Sequence, residues 1–157
     1  MKKRTAVAFS ILLAAIALAI FFIPESRAPF LVMEDRDTGR KWEYKLPGDT
    51  FSLGYVHSVM KTNAEEYFKA EKDGKIVLTE TVYQSYGVGL PFLPEEGELT
   101  VRDGLFILKM HREFPDISMV ISPLARHYLR IGEKKLNLSE ILGEKSAKIR
   151  LSIKRNS

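Results

Sequence analysis

Beyond residue 29 the chain alternates. From Phe30 onward apolar residues recur mostly at every second position, and turn residues interrupt the pattern roughly every ten residues. Side chains on a strand point to opposite faces in turn, so this pattern describes short strands with one buried face. Its length and turn spacing predict an all-β fold, an antiparallel sandwich or barrel.

The expected strands follow from the punctuation. Asp37-Thr38-Gly39 separates Phe30–Arg36 from Arg40–Leu46, and Pro47-Gly48-Asp49 separates the latter from Thr50–Ser58. A strand over Ala64–Glu71 turns at Asp73-Gly74 and returns as Lys75–Tyr83. A Gly- and Pro-rich loop comes next, then a hairpin of Glu98–Val101 and Leu105–Phe114 around Asp103-Gly104. Strands near Ile117–Ile121, His127–Ile131 and Ala147–Lys154 complete the set. The last alternates cleanly, with Ala147, Ile149, Leu151 and Ile153 inward and Lys148, Arg150 and Lys154 outward, a pattern that also discourages edge pairing. Trp42, Tyr44 and Leu46 share a face and belong to the core. The only helix expected is short, at Pro123–His127 or at Ser139–Leu142 with Ser139 as N-cap.

The first 23 residues obey another rule. Met1-Lys2-Lys3-Arg4 precedes 19 uncharged residues, Thr5–Ile23. At ~1.5 Å per residue that run spans close to the ~30 Å hydrocarbon thickness of a bilayer. The basic cluster keeps the N-terminus cytoplasmic and places everything after Pro24 outside. The length of the run and its bulky end (Ile20, Phe21, Phe22, Ile23) favour an uncleaved transmembrane anchor over a cleaved signal peptide. The expected organisation is an anchor over 1–23, a linker over 24–29 and an extracytoplasmic β-domain over 30–157.

Charge and cysteine content narrow the chemistry. Lys2, Lys3 and Arg4 account for three of the 24 Lys and Arg residues, so the remaining 21 face 20 Asp and Glu. A nearly neutral domain without a recognition motif argues against nucleic-acid binding. With no cysteine there are no disulfides, thiolate–metal sites or cysteine nucleophiles.

Strand parity singles out one cluster. His57 continues the line of Phe51, Leu53 and Tyr55; Glu66 shares a face with Ala64, Phe68 and Ala70; Glu80 falls in line with Ile76, Leu78 and Val82. A three-residue loop, Lys72-Asp73-Gly74 with Gly74 left-handed, pairs Ala70 with Ile76, Phe68 with Leu78 and Glu66 with Glu80. A four-residue loop over Met60–Asn63 sets His57 beside Glu66. Two carboxylates ~5 Å apart on an apolar face do not both stay ionised and unpaired. One is protonated, or a cation lies between them: His57, an arginine such as Arg112, or a metal ion held by His57, Glu66 and Glu80. The plainer reading makes these rim residues of a partly open sheet. Ser58 and His57 alternate to opposite faces, which argues against a nucleophile–base pair.

Other residues carry weaker signals. Gly87 and Gly89 in Tyr86-Gly87-Val88-Gly89-Leu90-Pro91 permit backbone approach to an anion, yet no helix pattern follows, and a bend between sheets explains them as well. His111 and His127 are expected as surface or half-buried histidines. Asp35 and Asp37 beside Gly39 read as turn residues and not as calcium ligands.

Taken together, Tyr55-Val56-His57-Ser58-Val59, Lys61-Thr62 followed by Glu66, and Ser85-Tyr86-Gly87-Val88-Gly89-Leu90-Pro91 resemble the uncharacterised family labelled domain of unknown function 1850. Ile121-Ser122-Pro123-Leu124, with Leu129 and Leu136, fits the same pattern. Asn63 departs from it, since relatives often carry proline there. The resemblance covers most of the chain after the anchor and implies no established activity. It implies a small envelope protein of a kind often encoded beside tripartite ATP-independent periplasmic transporters. Its motifs fall on His57, Ser58, Glu66, Tyr86, Gly87 and Gly89; with Glu80 from parity, these form the candidate binding set.

The leading expectation is a membrane-anchored, extracytoplasmic binding or accessory module for a solute transporter, with transporter subunits as partners. The alternatives are a metal- or carboxylate-dependent hydrolase using His57, Glu66 and Glu80, and a structural envelope protein. No cofactor is identified by the residues.

Overall fold

A computed structural model describes residues 28–57, 61–84 and 97–155. The expected anchor, Ser58, and the loop carrying Tyr86, Gly87 and Gly89 lie outside them. Among the described residues no helix is long and apolar enough to cross a membrane.

The described residues form eleven strands: β1 (Phe30–Asp35), β2 (Lys41–Lys45), β3 (Thr50–Val56), β4 (Asn63–Ala70), β5 (Ile76–Tyr83), β6 (Glu98–Arg102), β7 (Leu105–Phe114), β8 (Ile117–Ile121), β9 (Tyr128–Ile131), β10 (Lys134–Asn137) and β11 (Ala147–Lys154). They form two antiparallel sheets, ordered β2-β1-β11-β8 and β10-β9-β3-β4-β5-β7-β6. One core draws on both sheets: Leu31, Met33, Ile149 and Leu151 from the smaller, Phe51, Leu53, Phe68 and Leu78 from the larger. Phe51 and Phe68 are cross-strand partners with stacked rings, centroids 5.1 Å apart. Burying one such side chain contributes roughly 1.5–3 kcal/mol, so this shared core holds the sheets together.

Local chemistry sets the connections. Ala70 pairs with Ile76, and Gly74 adopts φ +87°, a conformation open to glycine, so the three-residue loop is as expected. Arg102 pairs with Leu105, which leaves Asp103-Gly104 as a two-residue hairpin turn. The Asp35 carboxylate accepts from the amides of Asp37 (2.9 Å) and Thr38 (3.3 Å) and from the Thr38 hydroxyl (2.6 Å), confirming turn chemistry.

Three expectations are corrected. β11 is an interior strand between β1 and β8, so its outward lysines protect no edge. Short helices occur in both expected regions, as a 3-10 turn at Pro123–Ala125 and as α1 (Leu138–Ile141), and a further 3-10 turn occupies Pro47–Asp49. The N-cap of α1 is Asn137, whose side chain accepts from the Ser139 amide at 3.1 Å; Ser139 is itself buried inside the turn. Strand β10 went unread because Leu136 alone among its four residues is apolar, and an edge strand needs no more.

Candidate functional site

A bulge in β5 decides which side chains meet. Phe68 pairs with Leu78, as parity requires, but Tyr67 pairs with Glu80, leaving Thr79 as an extra residue. The β5–β7 ladder slips at the same place: Leu78 faces Arg112 and Glu80 faces Lys109. Between the same two rungs β4 advances from Glu66 to Phe68, β5 from Thr81 to Leu78, and β7 from Leu108 to Arg112. The strands therefore fan out, and the face presented by β5 inverts above the bulge. Thr81 and Tyr83 turn to the core; Glu80 and Val82 turn away from it.

The expected trio does not assemble. Glu66 pairs with Thr81, while Glu80 projects from the opposite surface of the sheet. Leu53, not His57, is the β3 partner of Glu66. The His57 amide donates to the Thr62 carbonyl at 2.8 Å and its carbonyl accepts from Lys61 at 2.9 Å. Four residues separate it from Leu53, ~14 Å along an extended strand. Among the described residues no group of three or more His, Asp or Glu is placed to hold a metal ion. With Glu66 and Glu80 on opposite surfaces, the three residues do not converge on one site as a hydrolase built on His57, Glu66 and Glu80 requires.

What remains on the inner face is a different polar group. Glu66 shares a rung with Leu53, Thr81 and Leu108. Below it lies the two-sheet core. Above it a second apolar cluster of Ala64, Tyr83, Tyr55 and Phe106 draws on the larger sheet alone among the described residues. Tyr83 and Phe106 stack there at 5.4 Å. Burial raises the Glu66 carboxyl above its ordinary range, and the nearby Arg112 charge opposes that rise. Tyr55 is pushed up to about 12, by burial first and by the Glu66 charge second. The Tyr55 ring meets that of His127 at 5.9 Å. Burial lowers the His127 imidazole, and its Nδ1 accepts from the Ser122 amide at 3.4 Å. His57 is nearly buried at the end of the Tyr55 line. Glu66, Tyr55, Tyr83 and His127 thus lie along the inner face where the large sheet extends past its partner, with Arg112 one rung below Glu66, opposite Leu78, and His57 farther along the Tyr55 line. Such a grouping can bind a polar or ionic surface.

The outer face holds a constellation that parity did not reveal. Glu65 Oε1 accepts from the Ser52 hydroxyl at 2.6 Å and from Arg130 Nε at 3.1 Å, and Oε2 accepts from the Tyr128 hydroxyl at 2.8 Å. Burial would raise this carboxyl, but the three hydrogen bonds together with the Arg130 charge carry it below its ordinary range. The Tyr128 ring lies over Gly54, where an added Cβ would stand 1.9 Å from its Cζ. Lys135 Nζ caps the ring at 3.8 Å. The available signal was Gly54 itself: a glycine inside a strand marks close approach by another group.

His111 is exposed beside Glu113, as expected, and His127 is half-buried. Ser58, Tyr86, Gly87 and Gly89 fall outside the described residues.

The family model described as a domain of unknown function (DUF1850) matches residues 51–138. That span runs from β3 to the start of α1 and takes in both polar groups on the larger sheet. No curated protein and no solved structure matches the chain.

Proposed function

The chain belongs to this family of unknown function, and on that premise we propose that it is a membrane-tethered, extracytoplasmic binding module serving a solute transporter as an accessory. The tether is the uncharged Thr5–Ile23 run behind its basic cluster. The binding end is the inner face around Tyr55, Glu66 and Arg112. One observation carries the reading: an acid is retained in an apolar position, against burial, where the larger sheet continues past the core. Folding alone gains nothing from an acid there, and an ionisable group held out of its ordinary range is a mark of functional sites. The transporter assignment follows from the family resemblance and the tether.

The test uses the full chain, tagged at its C-terminus and cross-linked in membranes before detergent extraction. Transporter subunits should be enriched over an unrelated β-domain carrying the same N-terminal segment, and Glu66→Gln should reduce that enrichment severalfold. Equal recovery with the unrelated domain, or with Glu66→Gln, would remove the proposal. Protease added to intact spheroplasts should cleave the β-domain, and full protection would refute the extracytoplasmic placement.

A further inference from the structure

The outer side of β3 is a line of small residues, Thr50, Ser52 and Gly54, between large neighbours on β4 and β9. A trough results. Tyr128 fills its Gly54 end, and the Thr50–Ser52 end stays open as a groove of about 420 Å³, within the size range of sites for small organic ligands. Its wall is held in place because Glu65 ties Ser52, Tyr128 and Arg130 together.

Across the groove one rung runs Arg130, Ser52, Tyr67, Glu80 on four successive strands. Arg130 Nε–H is directed to Glu65, so the edge formed by the two terminal nitrogens is the part suited to a further carboxylate. The Arg130 side chain is 40% exposed and Tyr67 is 38% exposed. Glu80 forms no ion pair among the described residues. The groove therefore has a cationic end, an aromatic middle and, at its far end, the Glu80 carboxylate, whose exposed neighbour Lys109 across the β5–β7 ladder forms no ion pair with it. The four strands span ~14 Å between backbones, and Arg130 reaches back across β3 toward Glu65, which brings its head closer to Glu80 than that span. A larger groove of about 570 Å³ beside β8 differs in kind, because its Arg150 and Asp116 pair with each other at 2.8 Å.

We propose that the outer groove binds a small zwitterion whose charges lie several ångströms apart, the class of dipeptides and ω-amino acids. Its carboxylate meets Arg130, its ammonium meets Glu80, and the chain between them lies on the Tyr67 ring. This site stands on the opposite surface from Glu66 and does not depend on the transporter reading.

The experiment is calorimetric titration of the full chain in detergent micelles with 6-aminohexanoate and with glycylglycine, and with hexanoate and hexylammonium as single-charge controls. At least one zwitterion should bind about tenfold more tightly than either control, since both ends are paired in the groove. Glu80→Gln should lower zwitterion affinity about fivefold or more and leave hexanoate unaffected, because only the ammonium contact is lost. Glu66→Gln should change nothing. Absence of saturable binding by both zwitterions, hexanoate binding as tightly as 6-aminohexanoate, or full affinity in Glu80→Gln with unchanged circular dichroism would overturn the proposal.

Discussion

Glu66 faces Thr81 across the β4–β5 ladder, and Glu80, one residue before Thr81, leaves the sheet on the other side. That relationship separates two polar groups that a regular strand would have merged. On the inner face Glu66 sits between two apolar clusters. On the outer face Glu80 joins a rung with Tyr67 and Arg130.

The inner acid gives a pH dependence with a definite sign. Burial raises the Glu66 pKa above its ordinary 4.5, with Arg112 opposing. A folded state that holds a proton more tightly than the unfolded chain gains stability at low pH. This contribution is complete below the unfolded value and fades as pH rises through the folded one. Glu66→Gln should therefore gain stability relative to the parent between pH 4 and pH 8. Thermal midpoints of the full chain in detergent at the two pH values check it, and a difference independent of pH would refute it.

Thr81 offers a test of packing. It is fully buried, and its hydroxyl has no hydrogen-bond partner among the described residues. An unmet buried hydroxyl costs about 1–3 kcal/mol, so Thr81→Val should stabilise the fold by about 1 kcal/mol, read as a midpoint a few degrees higher. A lower midpoint would show that the hydroxyl is satisfied in solution.

Gly54 and Tyr128 should behave as one unit. A Cβ at residue 54 displaces the Tyr128 ring and, with it, the 2.8 Å bond to Glu65. Gly54→Ala should destabilise by about 1–3 kcal/mol, the usual range for an overpacked site. In a Tyr128→Ala background most of that penalty should vanish, because contacting residues are not additive. Chemical denaturation of the parent and the three variants measures the coupling. Identical penalties in the two backgrounds would mean the ring is not seated on Gly54.

Much of the architecture could be read in advance because its causes are local. Alternation placed Ala147, Ile149 and Leu151 in the core, and Gly74 dictated a three-residue turn that set Ala70 against Ile76 and Phe68 against Leu78. Such features depend on a residue and its immediate neighbours along the chain.

The site was not legible in that way. Three polar residues in a row, Thr79-Glu80-Thr81, carry no preferred parity, so the strand accommodates an extra residue there, turning Val82 outward and bringing Tyr83 inward. Whether it does so depends on the spacing that β4 and β7 impose from either side, and no window of sequence contains both. The same holds for Glu65. Its partners lie at positions 52, 128 and 130, and only closing the sheet brings β9 alongside β3. Periodicity states which face of a strand is buried; the ladders on either side decide which residues of that face come to meet.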